Sequence, residues 1–377
     1  MVNLLKYLST AQVFHAQKDK FSLDGFKKIY ILAHIWKYMG VNLEPILIKH
    51  KTHIKDFSNN TVSVDAYNQI YQFLSAIRQP DGTPLMDSSG RVTSHLSGLF
   101  YRTISLMEEG LKPVYVFDGK PSPMKLRTLE ERKAIKENSE RELEKAIMTS
   151  DREKIARMKR RINHITKDMI DESKQLLTYM GLPYVQAPSE GECQASYMSS
   201  TGKVNAVISQ DYDCLLFGAR EVLRNFTIYG KRRVSSRNIY VTVDPEYIDL
   251  KENLSNMNIT RSQLVDIAIM VGTDFNSGVE RVGSKTALNL IQKYGNLEEV
   301  IREKGYSIPQ YEDVRKLFLE PEVTDDFNVT FGKPEEEKIY SFLCDLHNFG
   351  ENRVRPFIDK LKISLQKSNQ SSLDSFF

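Results

Sequence analysis

Several features are scarce in this chain, and each scarcity excludes something. Its 377 residues hold only 3 cysteines, Cys193, Cys214 and Cys344, widely spaced and odd in number. That excludes a disulfide-stapled miniprotein and points to a reducing interior rather than secretion. No pattern with zinc-ligand spacing is readable. No apolar run approaches the roughly 20 residues needed to span a bilayer; the stretch from Ile29 to Trp36 is broken by His34 and ends at Lys37. The first 38 residues contain no Arg, no continuous apolar stretch and no small-residue cleavage site, so they carry no targeting role. Excess charge is missing too: 52 Lys and Arg against 49 Asp and Glu leave a formal +3. A near-neutral sum does not advertise nucleic-acid binding, but binding depends on where the charges sit.

What is present supports a packed core. With 41% hydrophobic, 10% aromatic and 27% charged residues, wholesale disorder and collagen-like fibres are excluded, and the size suits one large domain or two. Three short β-type runs each lead into an acid: Thr61 to Val64 before Asp65, Val114 to Phe117 before Asp118, and Ala206 to Ser209 before Gln210 and Asp211. Such runs suit buried parallel strands. Helical patterns lie between them, such as Leu96, Leu99, Phe100, Thr103, Ile104 and Met107, closed by Gly110 as a left-handed cap. The alternation predicts an α/β fold with a mostly parallel central sheet flanked by helices. From Met124 to about Lys167 the chain is dense in Lys, Arg and Glu without Gly or Pro, the mark of long solvated helices. Ser189 is placed to N-cap a helix with Glu190 and Glu192 in its first turn. Residues from about Thr260 to Tyr294 read as two helices joined by a turn with Gly278 and Gly283, and the polar tail from Gln366 to Asp374 reads as flexible.

Seven acids stand where ordered elements begin or end: Asp65, Asp118, Glu190, Glu192, Asp211, Asp213 and Asp274. Carboxylates gathered at one sheet edge repel, and burying them calls for cations. Oxygen ligands without His or Cys favour Mg²⁺, with Mn²⁺ as a substitute. Two such ions about 4 Å apart suit in-line hydrolysis of a phosphodiester. The bland alternative is that each Asp caps a helix or forms a turn. Residues two apart share a face on a strand, which suits Asp211 and Asp213 as a strand runs out, whereas Glu190 and Glu192 converge only at a helix start. Pattern alone leaves metal binding and capping evenly matched.

The segments VSVDAYNQIYQFLSAIRQ from Val62, TSHLSGLFYRTI from Thr93, VYVFDGKPSPMK from Val114, QAPSEGE from Gln186, SQDYDCLLFG from Ser209 and VGTDF from Val271 together resemble the structure-specific flap endonucleases, archaeal in type. The resemblance runs from about Met39 to Phe377. It implies the PIN-like 5′ nuclease fold with a helical arch, and Mg²⁺-dependent cleavage of 5′ flaps at single-strand to duplex junctions. A 5′-3′ exonuclease activity and roles in Okazaki-fragment maturation and base-excision repair come with it. It divides the chain into an extension without counterpart (1–38), an N-terminal nuclease region (39–136), the arch and connecting helices (137–185), an internal nuclease region (186–296), a C-terminal helical region (297–366) and a flexible tail (367–377).

By position, the resemblance places the metal ligands on all seven acids. It places the clamp on the scissile phosphate on Lys125 and Arg132, whose seven-residue spacing sets them on one helical face. Tyr71 matches a stacking aromatic for a frayed base, and Arg78 and Arg102 match substrate-contacting positions. The segment from Thr260 to Tyr294 resembles a helix–two-turn–helix that grips duplex phosphates near Gly283, in the family with a bound K⁺. Glu280 and Arg281 depart from the family pattern there. Arg lacks glycine's freedom at positive φ, so the local geometry of the hairpin is in question.

Gln370, Leu373, Phe376 and Phe377 match the motif Q-x-x-L-x-x-F-F that docks on the sliding clamp, proliferating cell nuclear antigen (PCNA). The resemblance further implies a monomer on its own with branched DNA as partner, no membrane, and an intracellular setting: cytoplasm or nucleoid if archaeal, nuclear if eukaryotic. Met39-Gly40-Val41 has the form of a family start in mid-chain, and Met39 is taken as the native start. Two rivals stand beside the flap enzyme: a related 5′ exonuclease or bubble-cutting repair nuclease with the same acids, and a non-catalytic clamp-binding DNA scaffold.

Overall fold

The computed structural model describes residues 40–79, 81–149, 165–227, 230–234 and 239–374. The extension, Met39, Phe376 and Phe377 lie outside the described residues.

In chain order the elements are β1 (His50–Lys51), β2 (Thr61–Asp65), α1 (Ala66–Ala76), α2 (Ser94–Glu108), β3 (Lys112–Phe117), α3 (Leu126–Met148), α4 (Lys167–Tyr179), β4 (Tyr184–Gln186), α5 (Gly191–Ser200), β5 (Ala206–Ile208), α6 (Asp213–Leu216), β6 (Glu221–Arg224), β7 (Gly230–Val234), β8 (Ile239–Val243) and β9 (Glu246–Asp249). Helices α7 (Leu250–Met257), α8 (Arg261–Val271), α9 (Ser284–Tyr294), α10 (Leu297–Lys304), α11 (Tyr311–Leu319), α12 (Glu336–Tyr340) and α13 (Glu351–Asp374) follow. Seven strands form one sheet in the order β1-β9-β6-β5-β2-β3-β4. The pairs β6–β5, β5–β2, β2–β3 and β3–β4 are parallel, with Val64 opposite both Tyr115 and Ile208. β9 runs antiparallel to β6 and β1 at one edge. The mostly parallel sheet read from the sequence is therefore what forms, and β7 and β8 make a separate antiparallel hairpin.

Side chains alternate across the sheet because successive residues of a strand face opposite sides. Tyr115 and Phe117 pack among residues of α1, α2, α4 and α13, whereas Val114 and Val116 pack with α5, α6, α8 and the helices beyond. In β2, Val62 and Val64 join the first cluster, while Ser63 turns the other way and its hydroxyl donates to the Ala195 carbonyl at 3.2 Å. Gly110 follows α2 at φ +94 and donates to the Met107 carbonyl, the left-handed ending expected for it.

Two local expectations fail. The helix expected to be capped by Ser189 starts one residue later, with Glu190 at the N-cap, because the Ser189 carbonyl is engaged by the Gly119 N–H at 2.6 Å. The tail read as flexible has a helical backbone as far as Asp374, continuing α13. Val354, Ile358, Leu361 and Leu365 anchor one stripe of that helix in the core, and no Gly or Pro interrupts the residues after it, so an established helix propagates.

Candidate active site

All seven acids come together beyond the carboxyl ends of the parallel strands, where an open α/β sheet places its chemistry. Asp65 ends β2 and N-caps α1, accepting the Asn68 N–H at 3.0 Å. Asp118 directly follows β3 and accepts the Gly191 N–H at 2.6 Å. Gly191 must be glycine for that approach, since a Cβ there would lie 2.6 Å from Asp118 Oδ1. Glu190 and Glu192 converge as the helix-start condition required, one at the N-cap of α5 and one in its first turn. Glu190 makes no capping bond, which leaves its carboxylate to the cluster. Asp211 and Asp213 do not share a strand face as expected: β5 ends at Ile208, Asp211 lies in the loop and Asp213 opens α6. Asp274 follows α8, and its carbonyl accepts the Thr128 hydroxyl at 2.5 Å, fastening the first turn of α3 to the same place.

Electrostatics explain why these acids need help. Burial, with repulsion from Asp118 and Asp211, pushes the Asp65 carboxyl up to about 8 despite its bond from Asn68. Burial pushes Asp118 up to about 6 against the Gly191 N–H, with Glu190 adding repulsion. Asp213 is pushed up to about 7 by burial and then by Asp274 and Asp211. Glu192 is held well above the carboxylate range by burial and by Asp211, Asp65 and Asp213. The ammonium of Lys125 sits among them, bonded to Glu190 and 3.6 Å from Asp274 Oδ2. Against the cost of its own burial, Glu190 and Asp274 keep that lysine protonated.

One monovalent charge does not balance this set. Oε1 of Glu190 is buried without a hydrogen-bond partner, as an oxygen awaiting a cation would be. Among the described residues no three of these side chains already surround one point as a closed metal cage. An all-oxygen donor set of repelling carboxylates nevertheless has the chemistry of a hard divalent cation site.

Two further residues, Val41 and Ser209, contact the acids although the sequence does not mark them as site residues. The Val41 N–H donates to Asp213 Oδ1 at 2.9 Å. The Ser209 hydroxyl lies 3.3 Å from Glu192 Oε1 and accepts the Asp211 N–H.

The expected DNA-contacting residues are carried by several different elements. Lys125 is the N-cap of α3, and Arg132 lies one stretch further along that helix with its side chain outside the described residues. Tyr71 is 37% exposed on α1. Arg102 is exposed on α2. Arg78 donates to the Leu74 and Gly82 carbonyls and so ties the end of α1 to the turn that follows. In the hairpin between α8 and α9, Arg281 takes up φ +64 and lies 3.4 Å from Glu280, both exposed. Gly283 N-caps α9 with nothing within 4 Å of where a Cβ would stand, and it offers no side-chain cap to the first turn of the helix. Gln370 and Leu373 lie in α13 with side chains outside the described residues.

Two family models match the chain, the XPG N-terminal domain over residues 39–139 and the XPG I-region over residues 181–274. Over 339 residues the chain is 56% identical to flap endonuclease 1 of Picrophilus torridus, covering 90% of this chain and 100% of that protein. The chain belongs to the flap endonuclease 1 family. It is also 44% identical to flap endonuclease 1 of Pyrococcus furiosus over 340 residues, 90% of this chain and 99% of that one. The solved flap endonuclease-1 of Methanococcus jannaschii superposes with a TM-score of 0.70 at 38% identity, covering 87% of this chain and 99% of that one. The catalytic core of Rad2 with DNA substrate shares the fold, with a TM-score of 0.61 at 23% identity over 84% of this chain and 96% of that one. As a family member the chain is a nuclease and a hydrolase of phosphodiester bonds. The family depends on divalent metal, binds branched or flapped DNA and works in DNA replication and repair. No helix among the described residues is long and apolar enough to cross a membrane.

Proposed function

We propose that this flap endonuclease cuts 5′ flaps, and shortens 5′ ends, at single-strand to duplex junctions with two Mg²⁺ ions held by Asp65, Asp118, Glu190, Glu192, Asp211, Asp213 and Asp274, Mn²⁺ serving as a substitute. The observation that carries this is the set of seven acids in one centre, several with raised pKa values and one with a buried oxygen that lacks a partner. When bound, such ions lower the pKa of a water and stabilise the leaving oxygen. The protein's own part is to hold the carboxylates close together, so that bound cations would keep them ionised, and to bring Lys125 and Arg132 to the charge that grows on the phosphate. Tyr71 supplies a stacking face, and Arg102 and Arg78 supply substrate contacts. The N-terminus of α9 at Gly283 takes duplex phosphates, with K⁺ in the hairpin.

Labelled 5′-flap, bubble, nicked and single-stranded DNA offered with Mg²⁺ to the parent and to Asp213→Ala test this. The parent is expected to cut the flap fastest and the variant to lose cleavage. Faster cutting of the bubble would favour a bubble-cutting nuclease, and DNA binding without cutting would favour a scaffold.

Gln370, Leu373, Phe376 and Phe377 are proposed to dock on the sliding clamp PCNA, with the chain a monomer on its own and intracellular. The double variant Phe376→Ala, Phe377→Ala should lose stimulation by the clamp and keep basal cleavage; retained clamp binding would remove the motif as the anchor.

A further inference from the structure

Asn68 occupies the third position of α1, three residues after the Asp65 N-cap. A capping box would put Glu or Gln there, reaching back to the N-cap N–H. Asn68 instead turns its amide outward. Its backbone N–H serves Asp65 at 3.0 Å, while its side-chain Nδ2 donates to Asp211 Oδ2 at 3.1 Å. One turn on, Gln72 Nε2 donates to Asn68 Oδ1 at 2.5 Å.

The direction of this chain of amides is set by the chemistry of its end. An ionised carboxylate only accepts, so Nδ2 must face Asp211 and Oδ1 must face a donor. Gln72 supplies that donor, and its own Oε1 is left buried without a partner. A bond made at that cost is directional: reversing the Asn68 amide would set oxygen against carboxylate on one side and N–H against N–H on the other.

Asp211 needs an anchor of this kind. It lies in a loop between β5 and α6, and its charge repels Asp65 and Glu192. Glu at position 68 would complete the capping box but add another negative charge to the centre. A neutral amide brings a donor without charge, and it stands on the helix whose N-cap is Asp65, so two carboxylates are registered to one rigid element.

We infer that Asn68 is a positioning residue that fixes Asp211 for metal, and that Gln72 sets the direction of its amide. This rests on the metal-site assignment above. Partners of ligating groups typically contribute about 10–100-fold in metal affinity.

The test is titration of Mn²⁺ into the full-length parent, Asn68→Leu and Gln72→Glu by calorimetry, with thermal unfolding in chelator to confirm folding. Asn68→Leu keeps the bulk and is expected to bind Mn²⁺ about tenfold more weakly, with an unfolding midpoint in chelator close to the parent's. Gln72→Glu separates the mechanisms by sign. The added negative charge alone would tighten Mn²⁺ binding, whereas a carboxylate in place of the Gln72 donor reverses the Asn68 amide and weakens it. Weaker binding by Gln72→Glu supports the inference, and if Asn68→Leu does not fold, this variant decides. Parental affinity in Asn68→Leu, or tighter binding in Gln72→Glu, overturns it. Absence of Mn²⁺ binding by the parent would instead overturn the metal-site assignment.

Discussion

The backbone N–H of Val41 donates to Oδ1 of Asp213 across 172 positions of sequence, inside the protein and at 2.9 Å. A main-chain donor holds an acid by geometry that no side-chain substitution at position 41 can remove, except proline. Val41→Pro is therefore expected to lower cleavage by about 10–100-fold, the usual scale for a lost partner of a ligating group. Val41→Ala keeps the N–H and should retain most activity. Equal rates for Val41→Pro and the parent in single-turnover flap cleavage would show that the contact does not matter.

Lys125 is bonded to Glu190 and close to Asp274, the position of a stand-in cation. In the proposed mechanism, removing its charge would take away a group that stabilises the phosphate in the transition state and also a competitor for the carboxylates. Lys125→Met is expected to cut about 100-fold or more slowly at saturating Mg²⁺, while calorimetry should find Mn²⁺ bound no less tightly than by the parent. Weaker Mn²⁺ binding would mean that the lysine supports the site rather than competing for it.

Asp65, Asp118 and Asp213 have carboxyls raised to about 8, 6 and 7 from an ordinary 3.8. Each binds its proton more tightly folded than unfolded. The folded state therefore holds more protons between about pH 4 and pH 8, and stability falls as pH rises through that window. In chelator, the thermal unfolding midpoint should decline across this range, and Mg²⁺ should reduce the decline by stabilising the ionised carboxylates. A midpoint that climbs with pH in chelator would contradict the buried, mutually repelling arrangement.

Arg281 sits at φ +64, where a side chain costs about 1–2 kcal/mol. Arg281→Gly should raise stability by roughly 1 kcal/mol in thermal unfolding. If Arg281 also meets a phosphate, duplex affinity should fall and the slope of log affinity against log salt should shrink by about 0.9. A lower midpoint would show that the arginine is not strained.

The strands and the acids were legible because both leave a letter. Val, Ile and Tyr runs mark β2, β3 and β5, and a carboxylate after a buried strand has few places to go. The exact station of each acid was less legible. Ser189 reads as a better cap than Glu190 until its carbonyl is seen paired with Gly119, a contact between distant segments. Asp211 and Asp213 look like neighbours on a strand until β5 stops three residues short. Val41 acts through a backbone group common to nearly every residue, so its identity says nothing. Asn68 and Gln72 read as the polar face of an ordinary helix, because their function depends on which way two amides point. The helical run to Asp374 was hidden by composition: Gln, Ser and Asn read as a loose tail, but the stripe from Val354 to Leu365 had already started a helix.

Asp274 has a bearing on how the enzyme is made. Its carboxylate belongs to the same centre as Asp65, yet the two are separated by more than half the chain, and α8 must be in place to deliver it. A polypeptide still emerging from the ribosome has β2, β3 and most of the acids before it has this one. On the proposed ligand set, the order of synthesis would leave the centre without its last acid until that stretch is made and docked.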